Sequence, residues 1–254
     1  MPLQITHCHK KLWLLFDLLL EYHAKTRTVD AYLGLLFSSL SSPHFTSHHY
    51  GPRKLYEVAA SSAVLHPNHL ERLSQAITLF LTESLLTSTI ESALGAVNSS
   101  WQSLQHGDAE EPPEKKKKRA DGNPTSSPNR ETSSLVFSLT VKLASIVLTS
   151  IPSRLTATTH TEVVAMVEHF RDSTLRHAIS KSLKAMRHGD KSWPTAIATA
   201  ALLQLDYTLN LQPQLCPNPS LQEKHLNKLL ELEMSPQVPE LSLEIVELSF
   251  LPWS

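Results

Sequence analysis

Apolar residues recur at intervals of three and four positions along most of the 254-residue chain. One example is the stripe formed near the start of the sequence by Leu12, Leu15, Phe16, Leu19 and Leu20. This spacing places apolar side chains on one face of an α-helix, because the helix repeats every 3.6 residues. The same pattern predicts helices over about 12–24, 28–40, 53–65, 67–80, 86–104, 134–150, 161–187, 194–211 and 219–234.

Strand signals are weak throughout the sequence. The segment LSLEIVELSFL after Pro239 alternates weakly, so helix and strand both stay open there. Glycine accounts for only 6 residues, and a composition rich in Leu, Ala and Ser favours helices. We therefore predict an all-α protein made of antiparallel helix pairs. An α-solenoid-like stack and an irregular bundle are both open, because the sequence has no clean repeat period.

The segment SLVFSLTVKLASIVLTSI, residues 134–151, is the main membrane candidate. Its polar residues recur at spacings of 4, 3 and 4, as Ser138, Lys142, Ser145 and Thr149. A spanning helix is apolar all round, and a lysine near its centre costs about 3 kcal/mol. We therefore predict an amphipathic helix outside any membrane, with this polar stripe facing solvent.

A change of composition divides the chain into three regions. Residues 107–134 combine Pro, Gly, Ser, Asn and charge and contain almost no apolar side chains. Such a segment buries too little apolar area to offset the entropy of an ordered chain. We predict an N-terminal helical region over 1–105, a disordered linker over 106–133 and a C-terminal helical region over 134–254.

Five consecutive cations stand inside the predicted linker: Lys115, Lys116, Lys117, Lys118 and Arg119. The formal net charge of the whole chain is only -1, so any attraction to an anionic partner must be local. The cluster resembles a monopartite nuclear-localisation signal, which implies a nuclear import receptor as partner. A solvated charge run and direct contact with nucleic acid are the alternatives.

A second basic pattern lies on the predicted helix near 171–191. Arg176, Lys184, Arg187 and Lys191 fall on one stripe, together with Ser180. Two interpretations fit this pattern. The stripe is either the solvent-exposed cationic face of a helix whose other face packs on the core, or a surface that binds the RNA backbone or an acidic protein.

Motifs of catalysis and of cofactor binding are missing from the sequence. It contains no G-x-S-x-G, no G-x-x-x-x-G-K-[ST] and no G-x-G-x-x-G. Neither Cys8 nor Cys216 has a partner motif, which is typical of a reducing compartment. His7 and His9 flank Cys8, but adjacent residues rarely converge on one ion. We predict no catalytic residue, cofactor, metal or small-molecule substrate, with a helical enzyme as the remaining alternative.

Two stretches, LLEYHAKTRTVDAYLGLLFSSLSS and NHLERLSQAITLFLT, resemble the N-terminal region of fungal nucleolar Urb/Npa-type (unhealthy ribosome biogenesis) pre-ribosome assembly proteins. The resemblance covers about 12–105 and extends to 134–210. It implies a large α-helical scaffold in assembly of the large ribosomal subunit, with no catalytic residue to carry over. Members of that family are several times longer than this chain.

These observations together predict a non-enzymatic helical scaffold in the nucleus, concentrated in the nucleolus, that acts in large ribosomal subunit biogenesis. Its partners would be proteins of a pre-ribosomal particle and an import receptor, with possible contact to the RNA backbone. The alternative is a nuclear protein–protein adaptor in transcription or chromatin, or a helical protein with no ribosomal role.

Overall fold

The computed structural model describes residues 15–40, 67–106, 128–190 and 192–233, and every regular element within these ranges is a helix. This confirms the all-α prediction. The helices are α1 (15–26), α2 (Val29–Leu40), α3 (Pro67–Phe80), α4 (Leu86–His106), α5 (Pro128–Ser150), α6 (Ala157–Phe170), α7 (Arg176–Arg187), α8 (Trp193–Asn210) and α9 (Glu223–Glu233).

Short irregular turns join several of these helices. A 3₁₀ turn, Glu83–Leu85, precedes α4, and another, Pro152–Arg154, follows α5. A π-helical segment, Arg171–Leu175, connects α6 to α7 without a break in helical direction. The single helix expected over 161–187 is therefore Ala157–Arg187 with one wider turn inside it.

The end of α7 shows why its sequence stops being helical. Gly189 has a φ of 97°, a conformation that residues with a Cβ adopt only with strain. The backbone N–H of Asp190 donates to the carbonyl of Ala185 at 3.1 Å, and that of Gly189 donates to Met186 at 3.1 Å. This glycine-centred cap satisfies carbonyls that the last turn would otherwise leave unpaired.

Helix α5 occupies the centre of the fold. It packs most extensively against α4 and α8, and it also contacts α2 and α3. In a solenoid each repeat contacts only its neighbours along the chain, whereas α5 meets four other helices. The arrangement is therefore an irregular bundle around α5, one of the two architectures that the sequence left open.

The predicted solvent-facing stripe on α5 is wrong at Ser138 and Lys142, whereas Ser145 and Thr149 are half-buried. Ser138 is only 8 % exposed and Lys142 only 6 %, because neighbouring helices cover the side of α5 that the pattern assigned to water. Hydroxyl side chains on this helix donate to carbonyls four residues earlier, as Ser145 does to Val141 at 2.9 Å. Local bonding of this kind lets serine and threonine lie in a helical interior.

The range 133–154, which contains most of α5, is the part of the described chain that is long and apolar enough to cross a membrane. Within its most apolar window, 89 % of the residues are buried inside the protein. The helices around α5 thus take the place that lipid would occupy, which is the situation of a core helix.

The two predicted helical regions share one hydrophobic core. The rings of Trp101 in α4 and Phe137 in α5 lie 5.4 Å apart. Ser74 Oγ of α3 and Ser150 Oγ of α5 are 2.8 Å apart, and Arg154 donates to the carbonyl of Ile77 at 3.0 Å. Helix α5 begins at Pro128, six residues before the predicted start at 134.

Some predictions fall on residues outside the described ranges. They are the helix over about 53–65, most of the linker, and the segment after Pro239.

Candidate nucleic-acid interface

Helix α7 separates its buried side from a basic side. Ala178, Ile179 and Ser182 are buried against the rest of the bundle. The sequence RHAISKSLKAMR contains no acidic residue, so the exposed positions carry only cationic, histidine and serine side chains. The exposed basic residues of α7 are Arg176, His177, Lys181, Lys184 and Arg187.

The four permanent cations lie close together on this surface. At 100° per residue, Arg176, Arg187, Lys184 and Lys181 cover an arc of about 140° around the helix axis. Along the axis they span about 16 Å, because each residue rises 1.5 Å. We call this arc the α7 cationic face.

Two members of the cationic face bind neighbouring groups. Arg176 forms an ion pair with Asp172 at 2.9 Å and also donates to the hydroxyl of Ser220. Lys181 donates to the side-chain oxygen of Gln105 in α4 at 2.9 Å. These contacts orient Arg176 and Lys181, and the Asp172 carboxylate offsets part of the charge of Arg176.

Lys184 and Arg187 differ from the other two because, within the described part of the chain, no hydrogen bond or ion pair joins their side chains to another residue. Both side chains are exposed, in the last turn of α7. Cations here also interact favourably with the helix dipole, by about 0.3–1 kcal/mol each. This interaction with the helix dipole does not neutralise the two charges. Both charges still face solvent, where an anionic partner can reach them.

The structure thus places three of the four predicted contact residues, Arg176, Lys184 and Arg187, on one exposed surface. Lys191 and the predicted import cluster over 115–119 lie outside the described residues. The sequence prediction did not include Lys181. A helical-wheel count from Lys184 would have found it, because the two residues are three positions apart.

A half-buried ionic cluster fixes the loop that follows the cationic face. Asp190 accepts a hydrogen bond from Arg130 of α5 at 2.9 Å and another from the Thr195 hydroxyl of α8 at 2.7 Å. Ser192 donates to the same carboxylate through its hydroxyl at 2.6 Å. Burial acts to raise the pKa of Asp190, but the bonds from Ser192 and Thr195 and the charge of Arg130 lower it to about 2.

A cavity of about 150 Å³ adjoins this cluster at the junction of α4, α5, α7 and α8. Its walls include Trp101 and Leu104 of α4, Lys181 and Ala185 of α7, and Thr195 and Ala198 of α8. Lys181 therefore belongs both to the cavity wall and to the cationic face. No sequence motif pointed to this cavity, since its walls come from helices far apart in the chain.

A second polar cluster connects α1, α2 and α3. The hydroxyl of Tyr32 lies 3.0 Å from Nε2 of His69 and donates to the carbonyl of Phe16 at 3.1 Å. Nδ1 of His69 lies 3.5 Å from the Asp17 carboxylate, which also binds Arg72. Tyr32 and His69 are fully buried, and burial together with the charge of Asp17 raises the pKa of Tyr32. The cluster joins three helices through its buried tyrosine and histidine and reaches the surface at Arg72.

A third cluster surrounds the π-helical segment. Arg171, only 5 % exposed, donates to the carbonyl of Asn218 at 3.2 Å and to the sulfur of Cys216. Burial raises the pKa of the Cys216 thiol against the lowering effect of Arg171. A thiol protonated at neutral pH is a weak nucleophile.

The described residues contain no group of three or more His, Cys, Asp or Glu side chains that could hold a metal ion.

Comparison with protein-family models, with curated proteins and with solved structures finds no match. The resemblance to Urb/Npa-type proteins therefore stays a prediction.

Proposed function

We propose that this protein is a non-enzymatic helical scaffold that binds the RNA backbone through the α7 cationic face, in the nucleus and its nucleolus, during assembly of the large ribosomal subunit. The observation that carries the RNA contact is the exposure of Lys184 and Arg187 without an acidic partner in the described chain. Phosphates supply the anionic partners that these two cations lack.

The rigidity of the surface supports this assignment. Arg176 and Lys181 are held by Ser220, Asp172 and Gln105, so they lose little conformational freedom when a ligand binds. The Arg130–Asp190 pair fixes the loop at the end of α7. Arg176 and Lys181 are thus preorganised to bind phosphate, and the helix fixes the spacing of Lys184 and Arg187 relative to them.

The non-enzymatic part of the proposal is supported by the use of the titratable groups. Asp17, His69 and Tyr32 contain the residue types of an acid–base relay, but their contacts join helices in the interior. Cys216 is buried and its pKa is raised. Titratable groups that bond between helices in the interior stabilise the fold and are not positioned to act on a substrate.

The nuclear and ribosomal parts of the proposal are supported by the sequence. The cluster Lys115–Arg119 suits an import receptor, and the stretches around 19–42 and 68–82 resemble Urb/Npa-type scaffolds. A reporter fused to residues 107–134 should enter the nucleus. A matched reporter with the five cations changed to glutamine should stay in the cytoplasm. Equal distribution of the two reporters would contradict the import assignment.

The RNA contact is tested by the salt dependence of binding. The full-length chain is titrated against a fluorescent single-stranded RNA of about twenty nucleotides between 50 and 200 mM salt. Each phosphate contact on a single strand contributes about -0.7 to the slope of log K against log salt. The double variant Lys184→Gln/Arg187→Gln should therefore have a slope less steep by about 1.4.

A matched control removes the same charge elsewhere. Lys25→Gln/Arg27→Gln also replaces one lysine and one arginine, both exposed, in the last turn of α1 and directly after it. This variant should bind RNA as the unmodified chain does. Equal slopes for all three proteins, or absence of RNA binding by the unmodified chain, would refute the RNA contact.

An exposed apolar stripe favours a second candidate, the nuclear protein–protein adaptor in transcription or chromatin. On α1, Leu15 is 51 % exposed, Leu18 63 % and Tyr22 61 %, at helical spacing. Neighbouring exposed apolar side chains are common at protein interfaces. Affinity purification of the tagged chain separates the two functions. Recovery of large-subunit assembly factors would support the ribosomal scaffold. Recovery of transcription or chromatin proteins by the unmodified chain, but not by the variant Leu18→Ser/Tyr22→Ser, would support the adaptor.

A further inference from the structure

We propose that the cavity beside α7 is a binding site for one unstacked pyrimidine base of single-stranded RNA, whose phosphates lie on the cationic face. This inference rests on the proposed RNA contact and adds a base-binding site to it. It derives from the size of the cavity, the chemistry of its walls and its position beside the cations.

The size of the cavity suits a single aromatic ring. Its volume of about 150 Å³ equals that of an engineered protein cavity known to hold benzene. A pyrimidine base has one six-membered ring with small substituents, whereas a purine has a second fused ring. The cavity should therefore take uracil or cytosine in preference to adenine or guanine.

The walls combine apolar surface with polar groups at several points. Trp101, Leu104 and Ala198 supply the apolar part, against which an aromatic ring can pack. Gln105 adds an amide to the lining, and Ser182 adds a hydroxyl that is already hydrogen-bonded to Thr199. The side-chain oxygen of Gln105 already accepts from Lys181, which leaves its amide nitrogen to donate to a base carbonyl. A ring that carries carbonyl oxygens fits these walls better than a hydrocarbon does.

The position of Lys181 connects the cavity to the cationic face. On the helical wheel it lies about 60° from Lys184 and about 40° from Ala185, which lines the cavity. A phosphate at Lys181 would therefore stand at the mouth of the cavity, with the next phosphates toward Lys184 and Arg187. Sequence-tolerant proteins hold single strands in this way, with cations along the backbone and bases against aromatic side chains.

The unmodified full-length chain provides the first test. Fluorescence anisotropy compares an eight-nucleotide oligouridylate, an oligoadenylate and an abasic ribose-phosphate chain of the same length and charge. One base packed against an aromatic wall should give oligouridylate about tenfold tighter binding than the abasic chain. Oligoadenylate should bind more weakly than oligouridylate.

A cavity-filling variant provides the second test. Ala185→Leu adds three carbons to the cavity wall, and Ala165→Leu adds them at an exposed position of α6 as the matched control. Ala185→Leu should remove the preference for oligouridylate and keep the salt slope, while the control keeps both. Circular dichroism checks that each variant is folded. Oligouridylate should also quench indole fluorescence, and this quenching should be reduced in Trp101→Phe, which removes the indole from the cavity wall.

The outcomes separate this inference from the proposed function. Equal affinity of the unmodified chain for oligouridylate and the abasic chain overturns the base site and leaves the backbone contact standing. A preference that survives Ala185→Leu in a folded protein also overturns the base site. Failure to bind any of the three oligomers overturns the base site and the proposed function together.

Discussion

The buried lysine at the centre of α5 should reduce the stability of the protein at neutral pH. Burial lowers the pKa of Lys142 from an ordinary value of 10.5 to about 8, and its side chain is 6 % exposed. Below both values the folded protein must keep an ammonium group in a poorly solvated place. The difference between the two values corresponds to about 3 kcal/mol of lost folding free energy.

Replacing this lysine by methionine keeps an unbranched side chain and removes the charge. At pH 7, Lys142→Met should raise the free energy of unfolding by up to about 3 kcal/mol. The unmodified protein binds fewer protons when folded than when unfolded between pH 8 and 10.5, so its stability should rise with pH in this window. The advantage of the variant should therefore shrink to about 1 kcal/mol by pH 10.

Urea unfolding followed by circular dichroism at pH 7, 9 and 10 measures both effects. The difference between variant and unmodified protein isolates Lys142, because all other titrating groups are common to the two. Lys25→Met removes an exposed lysine and should leave the pH dependence unchanged. A variant less stable than the unmodified protein at pH 7, or a constant difference across the pH range, would show that burial of the charge does not control stability here.

Three further changes test other parts of the fold. Gly189→Ala should lower the free energy of unfolding in urea by about 1–2 kcal/mol, because Gly189 has a φ of 97°. An unchanged urea midpoint would contradict the role of Gly189 in the cap at the end of α7. Asp190→Asn should cost about 1–2 kcal/mol at pH 7, after allowance for its partial exposure. The contribution of this carboxylate should shrink as pH falls from 3.8 through about 2, so thermal unfolding should show a much smaller deficit at pH 2 than at pH 7. Phe137→Ala should cost about 3–5 kcal/mol, since its fully buried ring packs on Trp101; a loss under 1 kcal/mol would contradict a shared core.

The helices could be predicted because each depends on a local signal. Apolar residues at helical spacing, with Pro and Gly at the boundaries, indicated α2, α3 and α4 almost to their ends. The start of α5 was placed late because the residues after Pro128 are polar. Their helical conformation follows from continuity with the buried turns after residue 134, which is not a local property.

The surroundings of each helix could not be predicted in the same way. The spacing of Ser138 and Lys142 indicates a polar stripe, but it does not indicate how many neighbours will cover that stripe. The structure packs α4 and α8 most extensively against α5, and α2 and α3 contact it as well. Ser138 and Lys142 are therefore inside the protein, whereas Ser145 and Thr149 are half-buried and bond to their own helix.

The candidate site could be predicted only in part, because some of its residues follow a local helical repeat and others meet through tertiary packing. The cations of α7 follow a helical repeat, and Arg176, Lys184 and Arg187 are exposed together as expected. The cavity depends on Trp101 and Thr195, which are far apart in sequence and meet only through the packing of α4 and α8 on α5. Tertiary packing of this kind leaves no periodic trace in the chain.

Photo-crosslinking tests the RNA contact most directly. A single-stranded RNA carrying 4-thiouridine is irradiated with the full-length protein, and the crosslinked peptides are identified by mass spectrometry. Crosslinks within residues 176–198, lost in Lys184→Gln/Arg187→Gln and kept in Lys25→Gln/Arg27→Gln, are the result that the structure predicts. Crosslinks confined to peptides that contain none of α7, with equal yield from the two variants, would contradict it.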